Sequence, residues 1–296
     1  MATAIDRAIG IGINSFCHLL IALDRTQWQE NNILMASVIY QKRALPIFWI
    51  LLPKKGASDI REQQTVLRPV IKLFKTHKIV VIGDREFHSV DLAQWIHCQG
   101  VKFVLRQKKD TNFRQKRQKF QGLSTVKIVP GQRQFLTGIN ITQKQGFGRF
   151  NLAVYWQRKY KGKQEKDPWY LLTNLADLET ALIIYKKRFG IEAMFRDCKT
   201  GGYNLEGSKA SPDKLVRLVL LIALAMTSAW LKGARTTVLG KSDYICRSKE
   251  TGRTKRRHSN FWISLYGENW ITAFHECQGW VEKLIASVGN KRAFYQ

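Results

Sequence analysis

The chain has 296 residues, 45% of them hydrophobic, and a formal net charge of +27 from 49 Lys and Arg against 22 Asp and Glu. That length and apolar content suffice for one large core, or a core with an inserted subdomain, and exclude a disordered basic tail. A charge excess of this size repels itself unless a polyanion is the partner, and nucleic acid is the natural one. The basic residues are spread along the chain without a dominant cationic amphipathic helix, which argues against a membrane surface.

The longest apolar run, Leu218 to Met226, is shorter than the roughly 20 residues a bilayer crossing needs and is expected to be a buried core helix. Met1 to Phe16 contains Asp6 and Arg7 and has no long apolar centre, so no secretory signal is expected and the predicted location is cytoplasmic. The five cysteines, Cys17, Cys98, Cys198, Cys246 and Cys277, contain no Cys-x-x-Cys pair; reduced thiols and no zinc site are expected. The six histidines show no metal-ligand spacing, and His88, close to Asp84, is the one of interest.

From His18 the apolar run HLLIALD ends in Asp24, and strand-like runs follow at Ile33–Tyr40 and Ile47–Leu52, predicting an antiparallel meander. After Gly56, Asp59 and Glu62 stand at capping-box spacing, and Val66, Val70, Ile71, Leu73 and Phe74 recur at helical intervals. Ile79–Ile82 is a continuous apolar run, the pattern of a strand covered on both faces, and it ends at Gly83 and Asp84. A helix over Ser89–Cys98, closing at Gly100, and a strand over Val101–Arg106 complete the order βββαβαβ. Between Lys108 and Asn174 the alternating runs Thr125–Val129, Gln134–Thr142, Arg149–Gln157 and Trp169–Thr173 predict a β-rich insertion. One helix is expected over Asp177–Lys199; Ser211–Pro212 opens another that runs to about Lys232. Gly240–Arg257 is basic and turn-rich, and Asn260–Ser287 carries no assignable pattern.

The predicted organisation is therefore a first part of the core over 1–107, the β-rich insertion over 108–174, the second part of the core over 175–235, and a basic C-terminal region over 236–296.

Asp24 and Asp84 each end an apolar strand, the edge at which open α/β sheets bind ligands, although either alone is readily a turn or helix cap. Tyr185, Arg188, Glu192 and Lys199 follow one another on the helix at Asp177–Lys199, and at about 100° per residue they fall within roughly 60° of one another. By spacing alone such a stripe is an ordinary solvated face laced with ion pairs.

The spacing Tyr, two residues, Arg, three, Glu, six, Lys stands complete in YKKRFGIEAMFRDCK and resembles the signature of the insertion-sequence DDE transposases of the IS-four-like group. LDRTQW around Asp24, GDREF around Asp84 and PWYLLTNL before the signature helix occur in the order that family shows, so the resemblance covers most of residues 18–232. It implies an α/β fold: a ribonuclease-H-like mixed sheet with flanking helices and an inserted β-rich subdomain. It also implies that Asp24, Asp84 and Glu192 bind two Mg²⁺ ions, with Mn²⁺ as a substitute, and that Tyr185, Arg188 and Lys199 grip DNA phosphates near the bond to be cut. These roles suit phosphodiester chemistry, in which two hard cations on carboxylates activate the nucleophile and stabilise the leaving oxygen. Arg then holds phosphate by a fork and Lys by a point charge.

Trp169 and Trp156 are candidates for stacking on a displaced base, against ordinary core packing as the alternative. Arg85 and Glu86 of the DRE triplet either assist the site or form a local ion pair. The basic runs Arg106–Lys119, Arg158–Lys166 and Lys249–Arg257 suit DNA-backbone contacts or are solvated loops. The family implies double-stranded DNA as partner, both element ends and target, a homodimer bridging two ends, and cleavage followed by strand transfer in a nucleoid-associated, cytoplasmic setting. Its members usually carry a DNA-binding region ahead of the first catalytic Asp, whereas only Met1–Leu23 precede Asp24. The alternatives are thus a truncated, non-catalytic DNA-binding remnant that regulates a full-length transposase, or a nuclease without strand transfer.

Overall fold

The computed structural model describes residues 18–28, 30–40, 43–116, 118–143, 149–158, 165–199 and 203–240, with short separate stretches between 260 and 286. The expectations placed on 1–17, on most of Arg158–Lys166 and on Lys249–Arg257 lie outside the described residues. The chain divides into two compact units, Met1–Leu220 and Leu221–Gln296.

In the first unit, β1 (His18–Trp28), β2 (Asn31–Tyr40) and β3 (Arg43–Leu52) form the predicted antiparallel meander. β4 (Lys78–Gly83) lies parallel to β1, and β5 (Lys102–Arg106) parallel to β4. Helices α1 (Ile60–Leu73) and α2 (Val90–Cys98) make the two connections that parallel strands require. Asp59 caps α1 as the sequence predicts, accepting from the Glu62 backbone N–H while its own N–H donates to the Glu62 carboxylate. The order β3-β2-β1-β4-β5, antiparallel then parallel, is the ribonuclease-H-like arrangement.

The β-rich stretch continues this sheet. Beyond β5 it adds the short β6 (Asn112–Arg114) and β7 (Gln121–Gly122), then β8 (Arg133–Ile141), β9 (Arg149–Tyr155) and β10 (Trp169–Thr173), giving ten strands. β10 pairs antiparallel with β5, and β9 and β8 follow it outward, with β6 and β7 at the far edge. Both faces of the central strands are covered. Leu19, Ile21 and Leu23 of β1 and Val81 of β4 cluster with Val66, Leu67 and Val70 of α1 and Leu92, Ala93 and Ile96 of α2. The alternate residues Leu20, Ala22, Val80 and Ile82 are buried as well, so these strands read as continuous apolar runs.

Four elements differ from the sequence expectation. β1 runs four residues past Asp24, because β2 keeps pairing with it as far as Trp28↔Asn31 after β4 has ended. β3 begins at Arg43 and includes Pro46, tolerated because β3 is an edge strand with a register shift opposite Ala36/Ser37. Thr125–Val129 is not a strand: Leu123–Thr125 forms a 3₁₀ turn in which the Thr125 hydroxyl donates to the Gly122 carbonyl, and Leu123 is buried. The single helix expected over Asp177–Lys199 is two, α3 (Leu178–Lys186) and α4 (Phe189–Lys199). Across the break the N–H groups of Lys187, Arg188, Gly190 and Ile191 bond three residues back, the tighter 3₁₀ pattern that interrupts the α-helix.

The last long helix, α5 (Pro212–Val238), extends beyond Lys232 and is long and apolar enough to cross a membrane by length and composition, with 39% of its most apolar window buried. The nine-residue apolar run therefore understates its reach. Leu215, Val219, Ala223, Met226 and Trp230 are buried at helical spacing, whereas Val216, Leu220 and Leu224 are exposed. In the second unit, Gly233 meets the residue opening a short helical stretch: a Cβ there would collide with the Asn260 carbonyl. Phe261 and Ile263 in that stretch are buried.

Candidate active site

The parallel ladder between β1 and β4 ends at Leu23↔Gly83, so Asp24 and Asp84 are the next residues on neighbouring chains of the sheet, about one strand spacing apart. Alternation puts Asp24 on the face of Ala22 and Asp84 on that of Ile82, which is opposite the α1–α2 cluster. The β4–β5 ladder ends at Gly83↔Leu105, which sets Arg106 in the same row. Gly83 is required here: a Cβ would stand 2.8 Å from Phe87 Cβ and 2.9 Å from Leu105 Cδ2, blocking the 3₁₀ turn Arg85–Phe87 that folds back after Asp84. One oxygen of each aspartate is fixed by backbone: Asp24 Oδ1 accepts from Arg25 N at 2.8 Å, and Asp84 Oδ1 from Glu86 N at 2.8 Å.

Arg188, at the α3–α4 break, brings the third carboxylate to this pair. Its Nη1 donates to Asp24 Oδ2 at 3.4 Å and its Nη2 to Glu192 Oε1, and the guanidinium is nearly buried. The break itself aims Arg188 inward, so the four signature residues do not lie on one continuous helical face. Tyr185 is fully buried, its ring edge-on to Trp169 at 5.0 Å and its hydroxyl beside Arg106. Burial pushes that phenol's pKa up, against the charges of Arg188 and Arg106. Lys199 reaches back along α4 to donate to the Gln27 carbonyl at 2.9 Å, at the far end of β1. Trp169 is 3% exposed and packs among Tyr155, Tyr185 and Phe189.

Burial, reinforced by the charge of Asp84, pushes the Asp24 carboxyl up to about 7 from an ordinary 3.8, with Arg188 pulling the other way. Burial also works against the Arg188 charge, but Tyr185, Asp24, Glu192 and Asp84 more than offset it and raise its pKa. Asp24 therefore holds its proton tightly beside the charge of Asp84, and a divalent cation would relieve the repulsion between them. Among the described residues the carboxylates do not close into a ready cage, since Arg188 stands between Asp24 and Glu192. The donors, all carboxylate oxygen, nevertheless suit a hard cation.

A second network braces the aspartates from behind. Glu86 accepts from Arg25 Nε at 2.8 and 2.9 Å and from the Ser58 N–H and hydroxyl. Arg25 also donates to Asn32 Oδ1, while Asn32 Nδ2 donates to the carbonyls of Lys54 and Gly56. The residues following both aspartates are thereby tied to each other. Arg85 is exposed beside a cleft, and His88 Nδ1 lies 3.4 Å from the Glu86 carbonyl. Sequence reasoning singles out neither Arg25 nor Arg106; LDRTQW already carries the first, and the second opens a basic run whose register only the β4–β5 pairing reveals.

Comparison with known proteins adds a family match: the family described as "Transposase DDE domain" matches residues 20–228, an interval that contains every residue of the site. Among solved structures, the piggyBac transposase synaptic complex with hairpin DNA, seen by cryo-electron microscopy, is similar at 13% identity with a TM-score of 0.39. That likeness covers 63% of this chain and 41% of the other. Comparison with curated proteins gives no match.

Proposed function

The chain belongs to the DDE transposase family, and from that membership we propose that it cuts DNA strands and joins the freed 3′-hydroxyl to a target, as the catalytic core of a cut-and-paste transposase. The observation that carries this is the row Asp24–Asp84, set side by side by the β1–β4 register, with Glu192 joined to it through Arg188. DDE transposases use divalent metal ions; the ions proposed here are two Mg²⁺, replaceable by Mn²⁺, on Asp24, Asp84 and Glu192. Bound there, they would supply an activated nucleophile and a stabilised leaving oxygen.

The chain's own residues do the rest. Asp24 and Asp84 keep Oδ2 free of the backbone bonds that fix Oδ1. Arg188 passes from the carboxylates to a phosphate oxygen when DNA arrives, and the Tyr185 hydroxyl donates beside it. Lys199 fixes the end of β1 and adds positive charge near the incoming strand. The order and spacing of Tyr185, Arg188, Glu192 and Lys199 favour the IS-four-like group. The net charge of +27 favours double-stranded DNA as partner, and a homodimer would bridge two ends. Work on DNA alone, away from any membrane, and a nucleoid-associated, cytoplasmic location complete the proposal.

The test is strand joining. A labelled oligonucleotide with a free 3′-hydroxyl is incubated with supercoiled plasmid and Mn²⁺; covalent transfer of label to the plasmid is expected, and its loss in Asp24→Asn, Asp84→Asn and Glu192→Ala with DNA affinity retained. Transfer that persists in any of the three removes that residue from the catalytic set.

A further inference from the structure

Arg25 follows Asp24 directly, Glu86 follows Asp84 at two residues, and each of the pair acts with both its backbone and its side chain. The Arg25 N–H donates to Asp24 Oδ1 and the Glu86 N–H to Asp84 Oδ1, both at 2.8 Å. Their side chains then hold each other, Arg25 Nε donating to the two Glu86 oxygens at 2.9 and 2.8 Å. The carboxylates of Asp24 and Asp84 are thereby linked through Arg25 and Glu86, and neither turns without disturbing the other. The pair is also anchored on its outer side. Glu86 Oε1 accepts from the Ser58 N–H at 3.1 Å and hydroxyl at 3.0 Å, and the buried Gln63 donates to the Ser58 carbonyl and hydroxyl oxygens. Arg25 Nη1 donates to Oδ1 of the buried Asn32 at 2.9 Å.

The charge of Asp84 acts against that of Asp24, and such repulsion favours turning the two Oδ2 atoms apart. A link that opposes the turn holds both oxygens in place before a cation arrives, so that binding loses less to ordering.

We propose that Arg25 and Glu86 are positioning residues that preorganise the metal site by clamping Asp24 to Asp84, Glu86 itself supplying no ligand because both its oxygens are committed to the clamp. This rests on the transposase reading for the metal, whereas the clamp itself needs none.

Two measurements on the full chain test this without DNA or cleavage. In EDTA, amide hydrogen exchange followed by NMR reads the N–H groups of Arg25 and Glu86. Glu86→Gln should speed exchange at Arg25, 61 residues away, by about tenfold or more, and Arg25→Met should do the same at Glu86. Mn²⁺ binding, followed by the electron paramagnetic resonance of the free ion, should weaken by about tenfold or more in both variants. Arg25→Lys keeps a charged donor for Glu86 and should lose about threefold at most. Asn174→Ala is the comparison: Asn174 Oδ1 accepts from the Phe103 N–H and its Nδ2 donates to the Val101 carbonyl, where β5 begins, at the end of that strand away from Asp84. It should lower stability and leave both readouts unchanged. Exchange at each position that ignores the other, or that quickens equally in Asn174→Ala, overturns the clamp. Mn²⁺ affinity unchanged in variants whose exchange has quickened overturns the preorganisation. A wild type that binds no Mn²⁺, with exchange coupled as expected, would sink the metal reading of the carboxylates alone.

Discussion

Replacing Asp24 by Asn should stabilise the metal-free protein at alkaline pH. The Asp24 carboxyl titrates near 7 in the folded chain against an ordinary 3.8, so the folded state holds that proton the more tightly. The sign follows: the stability this group contributes is present in full below the unfolded value and is lost as pH climbs from about 4 through 7. Its side chain is only 13% exposed, so little is surrendered to solvent screening, and the loss amounts to at most roughly 4 kcal/mol. The amide introduced by Asp24→Asn would keep the bond from the Arg25 N–H, carry no charge, and remove the repulsion with Asp84. Urea denaturation in EDTA at a series of pH values measures the difference. Wild type and Asp24→Asn should be alike near pH 4, and the variant should be the more stable by about 2–4 kcal/mol at pH 8. Excess Mn²⁺ at pH 8 should restore the wild type by about 3 kcal/mol at roughly a hundredfold excess over Kd, and the variant much less. A variant no more stable than wild type at pH 8 would mean that Asp24 ionises freely beside Asp84, and the argument from burial and repulsion would fail.

Arg188→Ala should move the alkaline loss of stability to higher pH, since Arg188 is the charge that lowers the Asp24 pKa; a downward shift of the midpoint in the same titration contradicts this. Glu86→Gln should cost about 2 kcal/mol in denaturant by unpairing Arg25, and slow DNA cutting without changing DNA affinity, which anisotropy checks. Gly233→Ala should lower the melting temperature at a cost of about 1–3 kcal/mol, because no Cβ fits against the Asn260 carbonyl; a neutral effect by calorimetry would deny that approach.

Strands are legible in the sequence where apolar runs are uninterrupted: Ile79–Ile82 and Trp169–Thr173 need burial on both faces, and only a central strand offers it. Asp59–Glu62 marks the start of α1 by local chemistry alone. The α3–α4 break is not legible, because YKKRFG contains no proline and no capping side chain; Arg188, within the break, is held by Asp24 of the distant β1 and by Glu192, a pairing that a single run does not carry. Thr125–Val129 alternates like a strand, but the Thr125 hydroxyl closes a local turn instead. The carboxylates stand out as strand-end and signature residues, whereas Arg106 and the Arg25–Glu86 brace depend on which strands neighbour one another, a pairing between distant segments that single runs do not carry.

Whether Asp24, Asp84 and Glu192 act as one metal-dependent cutting site is decided by nicking of supercoiled plasmid by the purified chain in Mn²⁺. Nicking is expected with the wild type and should vanish with chelator and in Glu192→Ala alike. Nicking that survives Glu192→Ala, or a folded wild type that binds plasmid and never nicks it, would contradict the assignment.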